Sequence, residues 1–330
     1  MMGAAVTALG TAVPRAVLDN SELAARVGVD EEWIYERTGI RARHVASEGE
    51  TTTSLATAAA RAALARADVD ARDLDVIIVA TITPDYRFPA TAPLVGSALG
   101  APGVCAFDLG AGCSGFLYGL AQATALVESG AARRVLLVGA DLLSRHLDFD
   151  DPKSSVLFGD GAGAAVIEAR DGVVGLGPFV LLADGSQPEL LYSDPPTGLI
   201  RMQGREVYKR AVAEMTRSVR SIVATAGITM DDVDLLVAHQ ANARIVTAVA
   251  ERLALPPEKV VTNIVRYGNT SAASIPLALA EASETRALRE GDLVVLTAFG
   301  TGFTWGAGVM RWTAPAIEAA GLELPAETHV

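Results

Sequence analysis

The sequence predicts an α/β protein with a mainly parallel sheet and helices on both of its faces. Three observations carry that prediction. Short apolar runs of the kind buried on both faces of a sheet recur at Val76–Val79, Val135–Val138, Leu235–Val237 and Leu293–Thr297. Between them lie long alanine-rich stretches with helical spacing, at Thr53–Arg66, Phe116–Glu128, Glu206–Ala226 and Ile245–Leu253. The third observation is a repeat. Val69–Ala80 (VDARDLDVIIVA) is echoed 159 positions on by Ile228–His239 (ITMDDVDLLVAH). Arg134–Gly139 (RVLLVG) is echoed by Asp292–Thr297 (DLVVLT), and the turn at Gly110–Gly115 (GAGCSG) by Gly268–Ser274 (GNTSAAS), each 158 positions on. Chance similarity among Ala/Val/Asp-rich segments is the plainer account of any one match. Three matches in one order favour two similar half-domains, residues 1–170 and 171–330, with one site between them at the strand ends.

The bulk composition narrows the function. Half of the 330 residues are hydrophobic and 20% are charged, which excludes a disordered or solvating chain. Twelve more acidic than basic residues, a net charge of −12, argue against nucleic acid as the main partner. Two cysteines, Cys105 and Cys113, make neither a disulfide framework nor a zinc pattern, so no metal is expected. The N-terminus lacks a basic region ahead of its short apolar run, so no signal peptide is expected. No apolar run approaches the roughly 18 residues that span a bilayer, and a cytoplasmic location follows as the expectation.

Along the chain, Val104–Leu109 predicts a strand, Gly110–Gly112 a turn, and Ser114 onward a helix. Cys113 then sits at a helix N-terminus, where free N–H groups and the helix dipole favour a thiolate nucleophile. The plainer alternative, a buried structural cysteine, suits Cys105 within its strand. The segment Gly159–Gly163 (GDGAG) is followed by a strand rather than a helix, so it predicts a turn at Asp160-Gly161 and no nucleotide site. His239 directly follows the apolar strand LLVA, at its C-terminal end. A satisfied structural histidine is the alternative there, while His44, His146 and His329 read as solvated. Asn269, in a Gly-Asn turn opening the helix Ile275–Ala282, reads either as turn chemistry or, by the repeat, as facing the site of Cys113. Phe299–Phe303 (FGTGF) reads as a hairpin or as backbone N–H groups presented to an oxyanion.

These segments together resemble the β-ketoacyl-acyl carrier protein synthase III family of the thiolase superfamily. The resemblance covers nearly the whole chain. It rests on Trp33–Arg43 (WIYERTGIRAR), Phe107–Phe116 (FDLGAGCSGF), Leu157–Val166 (LFGDGAGAAV), His239–Ile245 (HQANARI), Tyr267–Pro276 (YGNTSAASIP) and Phe299–Gly306 (FGTGFTWG). The order Cys, His, Asn sets it apart from thiolases, with their second catalytic cysteine, and from elongating synthases, with two histidines. The resemblance implies a homodimer with a five-layered αβαβα thiolase-like fold. It implies that an acyl-CoA loads Cys113, with the N–H groups of Cys113 and Thr301 as oxyanion hole. Malonyl-acyl carrier protein would follow, with His239 and Asn269 holding its thioester oxygen as CO₂ leaves. Trp33, Arg37, Lys153, Gly204, Arg205 and Arg244 would line the coenzyme A and pantetheine path. Leu157 and Phe158 would line the acyl pocket, and Phe88 would reach the partner subunit's pocket. Lys209, Arg210 and Arg244 would dock the carrier protein. No cofactor is implied, since acyl-CoA and the carrier's phosphopantetheine act as substrates.

The chain departs from the family in four places. Where an Arg commonly precedes the Gly-Asp-Gly segment this chain has Lys153, which offers no planar face to stack. Thr301 stands where glycine is frequent, and Arg205 replaces a neutral polar residue. The tail after Trp312 runs past the usual family end. The helix after Gly204 gathers Arg205, Lys209, Arg210, Arg217 and Arg220 within an arc of about 140°. That arc suits an acidic carrier protein, and a solvated mixed-charge face is the alternative. The first reading is therefore decarboxylative condensation opening fatty acid or polyketide synthesis. The second passes the Cys113-bound acyl group to an oxygen, nitrogen or non-malonyl carbon nucleophile. A third, a non-catalytic dimer partner, fits poorly with the presence of Cys113, His239 and Asn269 together.

Overall fold

A computed structural model of the chain describes residues 2–173, 175–285 and 288–314. The tail from residue 315 on, His329 included, lies outside them. The chain opens with β1 (Met2–Ala12), then the short paired strands β2 (Val17–Asp19) and β3 (Ala42–His44) around helices α1 (Asn20–Val27) and α2 (Glu31–Thr38). Asp19 and Asp30 start those helices by accepting from the N–H groups of Glu22 and Glu32. There follow α3 (Thr52–Ala67), β4 (Val76–Ala80), α4 (Thr91–Leu99), β5 (Cys105–Leu109), α5 (Gly115–Glu128), β6 (Arg134–Leu142) and β7 (Asp160–Asp171). The five main strands pair in the order β1-β7-β6-β4-β5, with β4 parallel to both neighbours and β7 antiparallel to both.

The chain continues through β8 (Leu176–Ala183), the paired β9 (Leu191–Ser193) and β10 (Ile200–Met202), α6 (Gly204–Thr225), β11 (Leu235–Ala238) and α7 (Ala243–Arg252). It then forms the single turn α8 (Ile264–Tyr267), α9 (Ser274–Thr285), β12 (Leu293–Gly300) and β13 (Thr304–Arg311). The second sheet runs β11-β12-β13-β8, with β11 and β12 parallel and the other pairs antiparallel. Its order and sense match the first sheet strand for strand. The place of β5 is held by a single parallel bridge, Leu236 to Val260.

Helices α3 and α4 cover the outer face of the first sheet, α6 and α7 the outer face of the second, and α5 and α9 lie between the sheets. The result is the αβαβα layering. The sequence explains the central layer, because a helix covered on two sides must be apolar around most of its circumference. Phe116, Leu117 and Leu120 of α5 share one core with Ile275 and Leu279 of α9, with Ile78 of the first sheet, and with Val237 and Leu296 of the second. Strand β4 is buried at every residue, as its unbroken VIIVA requires.

Four local expectations need correction. Cys105 is exposed, because β5 is the outermost strand of its sheet and not a central one. Asp160-Gly161 opens the long strand β7 instead of turning, and Asp160 accepts from the N–H of Ala46 and from the N–H and hydroxyl of Ser144. His44 is half-buried, bonded through Nδ1 to the Pro14 carbonyl (2.7 Å) and stacked on Tyr267. His146 is likewise half-buried, bonded to the Gly198 carbonyl at 2.9 Å. Among the described residues no helix is long and apolar enough to cross a membrane.

Candidate active site

Cys113 occupies a single 3₁₀ turn, Gly112–Ser114, between β5 and α5. The turn is pressed against the β12–β13 connection of the second sheet. A side chain on Gly300 would place its first carbon 2.5 Å from the Cys113 nitrogen, and one on Gly112 would come within 2.9 Å of the Thr301 nitrogen. Only glycine permits that approach, which sets the Cys113 and Thr301 backbones side by side. Ser114 Oγ donates to the Thr304 carbonyl (2.9 Å) and Thr304 Oγ1 to the Ala111 carbonyl (2.6 Å), stitching the two turns together. Thr301, where glycine is frequent in the resembled family, uses its hydroxyl to hold the Leu191 carbonyl at 2.7 Å.

The protonation state of Cys113 differs from the sequence expectation. Burial, with a smaller contribution from the nearby Asp141 carboxylate, pushes its thiol up to about 12. The helix N-terminus is present, but removing the sulfur from water opposes it and favours the neutral thiol.

His239 follows β11, where its N–H donates to Thr297 of β12 at 2.8 Å. The ring is buried, and desolvation pushes its pKa down to about 3, so the imidazole is neutral. Its Nδ1 lies 2.6 Å from Ser274 Oγ, which leaves Nε2 for the cavity. Asn269 is fixed on both sides of its peptide plane: its N–H donates to the Leu157 carbonyl (2.8 Å) and its carbonyl accepts from the Gly159 N–H (3.0 Å). Asn269 Oδ1 accepts from the Ser271 N–H at 2.9 Å, so the turn reading of this asparagine is correct as far as it goes. That bond occupies the amide oxygen and leaves the NH₂ group as the functional end.

The turn carrying Asn269 is anchored by a carboxylate from the other sheet. Asp141, near the end of β6, is fully buried and accepts from Thr81 Oγ1 (3.0 Å), the Ile82 N–H (2.8 Å), Thr83 Oγ1 (3.0 Å) and the Ala272 N–H (3.3 Å). Burial raises its pKa, and these donors offset part of the rise. Ser271 holds a positive φ of 51°, and its buried hydroxyl closes no hydrogen bond of ordinary length. It lies near enough to Cys113 and Asp141 to lower both pKa values, against the larger effect of burial.

A cavity of about 500 Å³ joins these groups. Cys113, His239 and Asn269 line it, as do Trp33, Arg37, Lys153, Gly204, Arg205, Arg244, Leu157 and Phe158 from the sequence reading. Arg37 lies over the Trp33 ring, 4.5 Å from its centroid. A smaller cavity of about 90 Å³ lies beside it, lined by Cys113, Phe158, Thr301, Leu191, Leu143 and His146. Phe88 lines neither cavity and is 82% exposed. The basic face of α6 is largely closed by its own ion pairs: Lys209 with Glu206 (2.8 Å), Arg210 with Asp184 (3.2 Å) and Arg217 with Glu214 (2.9 Å). Arg244 instead faces the cavity, near the Tyr208 ring.

Sequence reasoning missed Asp141, Ser274 and Arg43. The fully buried Arg43 donates to the carbonyls of Leu18 and Val156 and to Asn20 Oδ1, fixing the segment that lines the cavity at Val156–Phe158. It lies inside WIYERTGIRAR, but nothing in that motif separates it from its exposed neighbour Arg41. Asn242 was visible only as part of HQAN. It caps α7 through the Arg244 N–H and donates to the Arg37 carbonyl, joining α2 to α7 at the cavity.

Residues 107–185 match the family model for 3-oxoacyl-[acyl-carrier-protein] synthase III, and residues 223–312 match the model for its C-terminal part. A β-ketoacyl-[acyl-carrier-protein] synthase III of Roseiflexus sp. is 49% identical over 325 residues, covering 94% of this chain and 99% of the relative. The crystal structure of 3-oxoacyl-[acyl-carrier-protein] synthase III from Aquifex aeolicus superposes with a TM-score of 0.92 at 46% identity, covering 94% of this chain and all of that one. The priming β-ketosynthase of the R1128 polyketide pathway superposes with a TM-score of 0.90 at 35% identity, covering 95% of this chain and 97% of that one.

Proposed function

The chain belongs to the β-ketoacyl-acyl carrier protein synthase III family, and from that premise we infer that its site carries out two half-reactions on one cysteine. The enzyme is an acyltransferase of the ketosynthase type, condensing an acyl group from acyl-CoA with malonyl-acyl carrier protein. The observation that carries the residue assignment is the single cavity into which Cys113, His239 and Asn269 converge from three separate turns.

In the first half-reaction the Cys113 sulfur attacks the thioester carbonyl of acyl-CoA. The N–H groups of Cys113 and Thr301 receive the developing oxyanion. A new C–S bond forms, the bond to the coenzyme A sulfur breaks, and the cysteine proton leaves with coenzyme A as its thiol. A thiol held at about 12 makes this step depend on the donors that stabilise the tetrahedral state, more than on a standing thiolate. In the second, malonyl-acyl carrier protein loses CO₂, and the electron pair of that bond moves onto the thioester oxygen. Neutral His239 and the Asn269 NH₂ group both donate there, where a carboxylate would repel. The enolate carbon then attacks the acyl-Cys113 thioester, giving the β-ketoacyl product. Cys113 is expelled and takes one proton from solvent.

Trp33, Arg37, Lys153, Gly204, Arg205 and Arg244 line the path we assign to coenzyme A and pantetheine. The smaller cavity, with Phe158 and Leu191, is the place for the acyl chain, and its volume of about 90 Å³ suits a short one. Arg244, at the cavity, is better placed than the paired Lys209 and Arg210 to meet an acidic carrier protein. A homodimer in the cytoplasm completes the reading. Its support is the open edge of β5 with exposed Phe107, together with exposed Ile82, Tyr86 and Phe88, apolar side chains that would otherwise face water. Across such an interface Phe88 would reach the partner's acyl cavity.

The test is intact-protein mass spectrometry after mixing with short acyl-CoAs, followed by CO₂ release from malonyl-acyl carrier protein. We expect one acyl adduct, lost in Cys113→Ala, and CO₂ release by the acylated enzyme. An adduct with no CO₂ release, and transfer to an oxygen or nitrogen nucleophile instead, would overturn the condensation assignment.

A further inference from the structure

We propose that Ser274 is a positioning residue for the condensation, donating its hydroxyl proton to His239 Nδ1 and so holding the imidazole as the tautomer with its proton on Nε2. The proposal rests on the role given to His239 above. A neutral imidazole has one N–H, and only the tautomer with the proton on Nε2 can donate into the cavity.

The surroundings of Ser274 select that tautomer. Ser274 Oγ lies 2.6 Å from His239 Nδ1 and also accepts, at 3.4 Å, from the N–H of Gln240. A hydroxyl has one proton to give and two lone pairs to offer. With the Gln240 N–H aimed at the oxygen, the hydroxyl proton is left for Nδ1, and every group is satisfied. In the opposite tautomer the oxygen would accept from both N–H groups, and its own proton would need another acceptor. Among the described residues Ser274 Oγ has no other hydrogen-bond partner, and the residue is buried. The hydroxyl makes no hydrogen bond to the carbonyl one helical turn back, that of Thr270. A buried donor without an acceptor is the costlier arrangement.

The backbone on the histidine side is equally fixed. The His239 N–H is tied to Thr297, and the His239 carbonyl accepts from Ala241. The Gln240 side chain donates to the Ala238 and Val261 carbonyls and accepts from the Asn263 N–H. Gln240 thus holds its own N–H where Ser274 needs it. Ser274 is the first residue of α9. One element therefore sets His239 through Ser274, and the turn ahead of it sets Asn269, so the two donors to the enolate oxygen are aligned together.

The experiment uses the full chain with ¹⁵N-labelled histidine, with His239 assigned by comparison with His239→Gln. Long-range ¹⁵N–¹H correlation should show wild-type His239 with its proton on Nε2 and with Nδ1 shifted as a hydrogen-bond acceptor. In Ser274→Ala the Nδ1 resonance should move to the value of an unbonded ring nitrogen, and Ser274→Thr should restore it. Malonyl-acyl carrier protein decarboxylation should fall at least about tenfold in kcat in Ser274→Ala with KM nearly unchanged, while acyl loading of Cys113 continues. A wild-type His239 carrying its proton on Nδ1 would overturn the proposal, as would an undiminished kcat in Ser274→Ala. Should wild-type enzyme release no CO₂ at all, the function assigned to the site would fall, and the tautomer measurement would still decide the Ser274–His239 relation.

Discussion

Replacing Asn269 by aspartate separates the two duties of that side chain. Its Oδ1 accepts from the Ser271 N–H at 2.9 Å, which closes the turn, and its NH₂ group is the end left to donate. Aspartate keeps an oxygen at the first position, so the turn should survive and the melting temperature should stay within a few degrees of wild type. At the second position a donor becomes an acceptor. Losing one donor to a developing oxyanion costs about 10²–10³ in rate, or about 2.7–4 kcal/mol, and a carboxylate facing that oxygen adds repulsion. We therefore expect CO₂ release from malonyl-acyl carrier protein to fall at least about 10²-fold at pH 8, with acyl loading of Cys113 unaffected. Burial raises the pKa of a carboxyl here, as it does for Asp141, so lowering the pH should return part of the rate through a neutral acid O–H. The assay is labelled CO₂ release beside intact-protein mass spectrometry. Retention of most of the decarboxylation rate, or an equal loss of acyl loading, would refute the assignment. Asn269→Ala should behave differently, losing stability as well, because it abandons the bond that holds Ser271 at positive φ.

Gly300→Ala should damage both half-reactions by about 10²-fold or more, since its methyl would meet the Cys113 nitrogen at 2.5 Å and part the two oxyanion donors. Loss of condensation alone in steady-state and loading assays would contradict that. The condensation rate should be flat between pH 5 and 8, because Cys113 stays protonated up to about 12 and His239 stays neutral down to about 3. A bell-shaped profile centred near neutrality would argue otherwise. The same shift acts on stability. The unfolded chain protonates His239 near 6.5 and the folded chain only near 3, so stability falls as pH drops through that window, by up to several kcal/mol. Urea midpoints of His239→Gln should show a weaker acid dependence than wild type between pH 7 and pH 4.

Much of the site we propose was legible because each of the three groups assigned to the reaction ends a short local signature: a glycine turn before a helix for Cys113, a strand end for His239, a Gly-Asn turn for Asn269. Segments recurring at nearly one spacing pointed to two similar halves, though not to the order of strands within each sheet. What could not be read depends on contacts distant in sequence. Asp141 follows VLLVGA as an ordinary strand residue, and its donors lie at Thr81–Thr83 and Ala272. Ser274 is one small residue in a run of them until α9 packs beside β11. The burial that raises the Cys113 thiol was not visible either, because a helix start can be recognised locally, while exclusion of water is a property of the assembled layers. Cys105 failed for the same reason: strand character is local, but position at a sheet edge is not.

The Asp141 cluster also bears on how the molecule comes apart. Its carboxylate is buried with no contacting cation among the described residues, and its donors come from the 81–83 segment on one side and from the middle of the Ser271–Ala273 turn on the other. Withdrawing either segment would strand a charge in the interior, which costs several kcal/mol unless the carboxyl takes up a proton. The cluster thereby couples the two sheets, so that loosening either one carries the cost of the stranded carboxylate. A nascent chain that has completed only β7 would own Cys113 but lack the surface that buries it. Its thiol would meet water near the ordinary value of 9.0, more open to oxidants than the same sulfur at the foot of the cavity that the second sheet completes. Assembly of the second sheet is in that sense the step that protects the nucleophile.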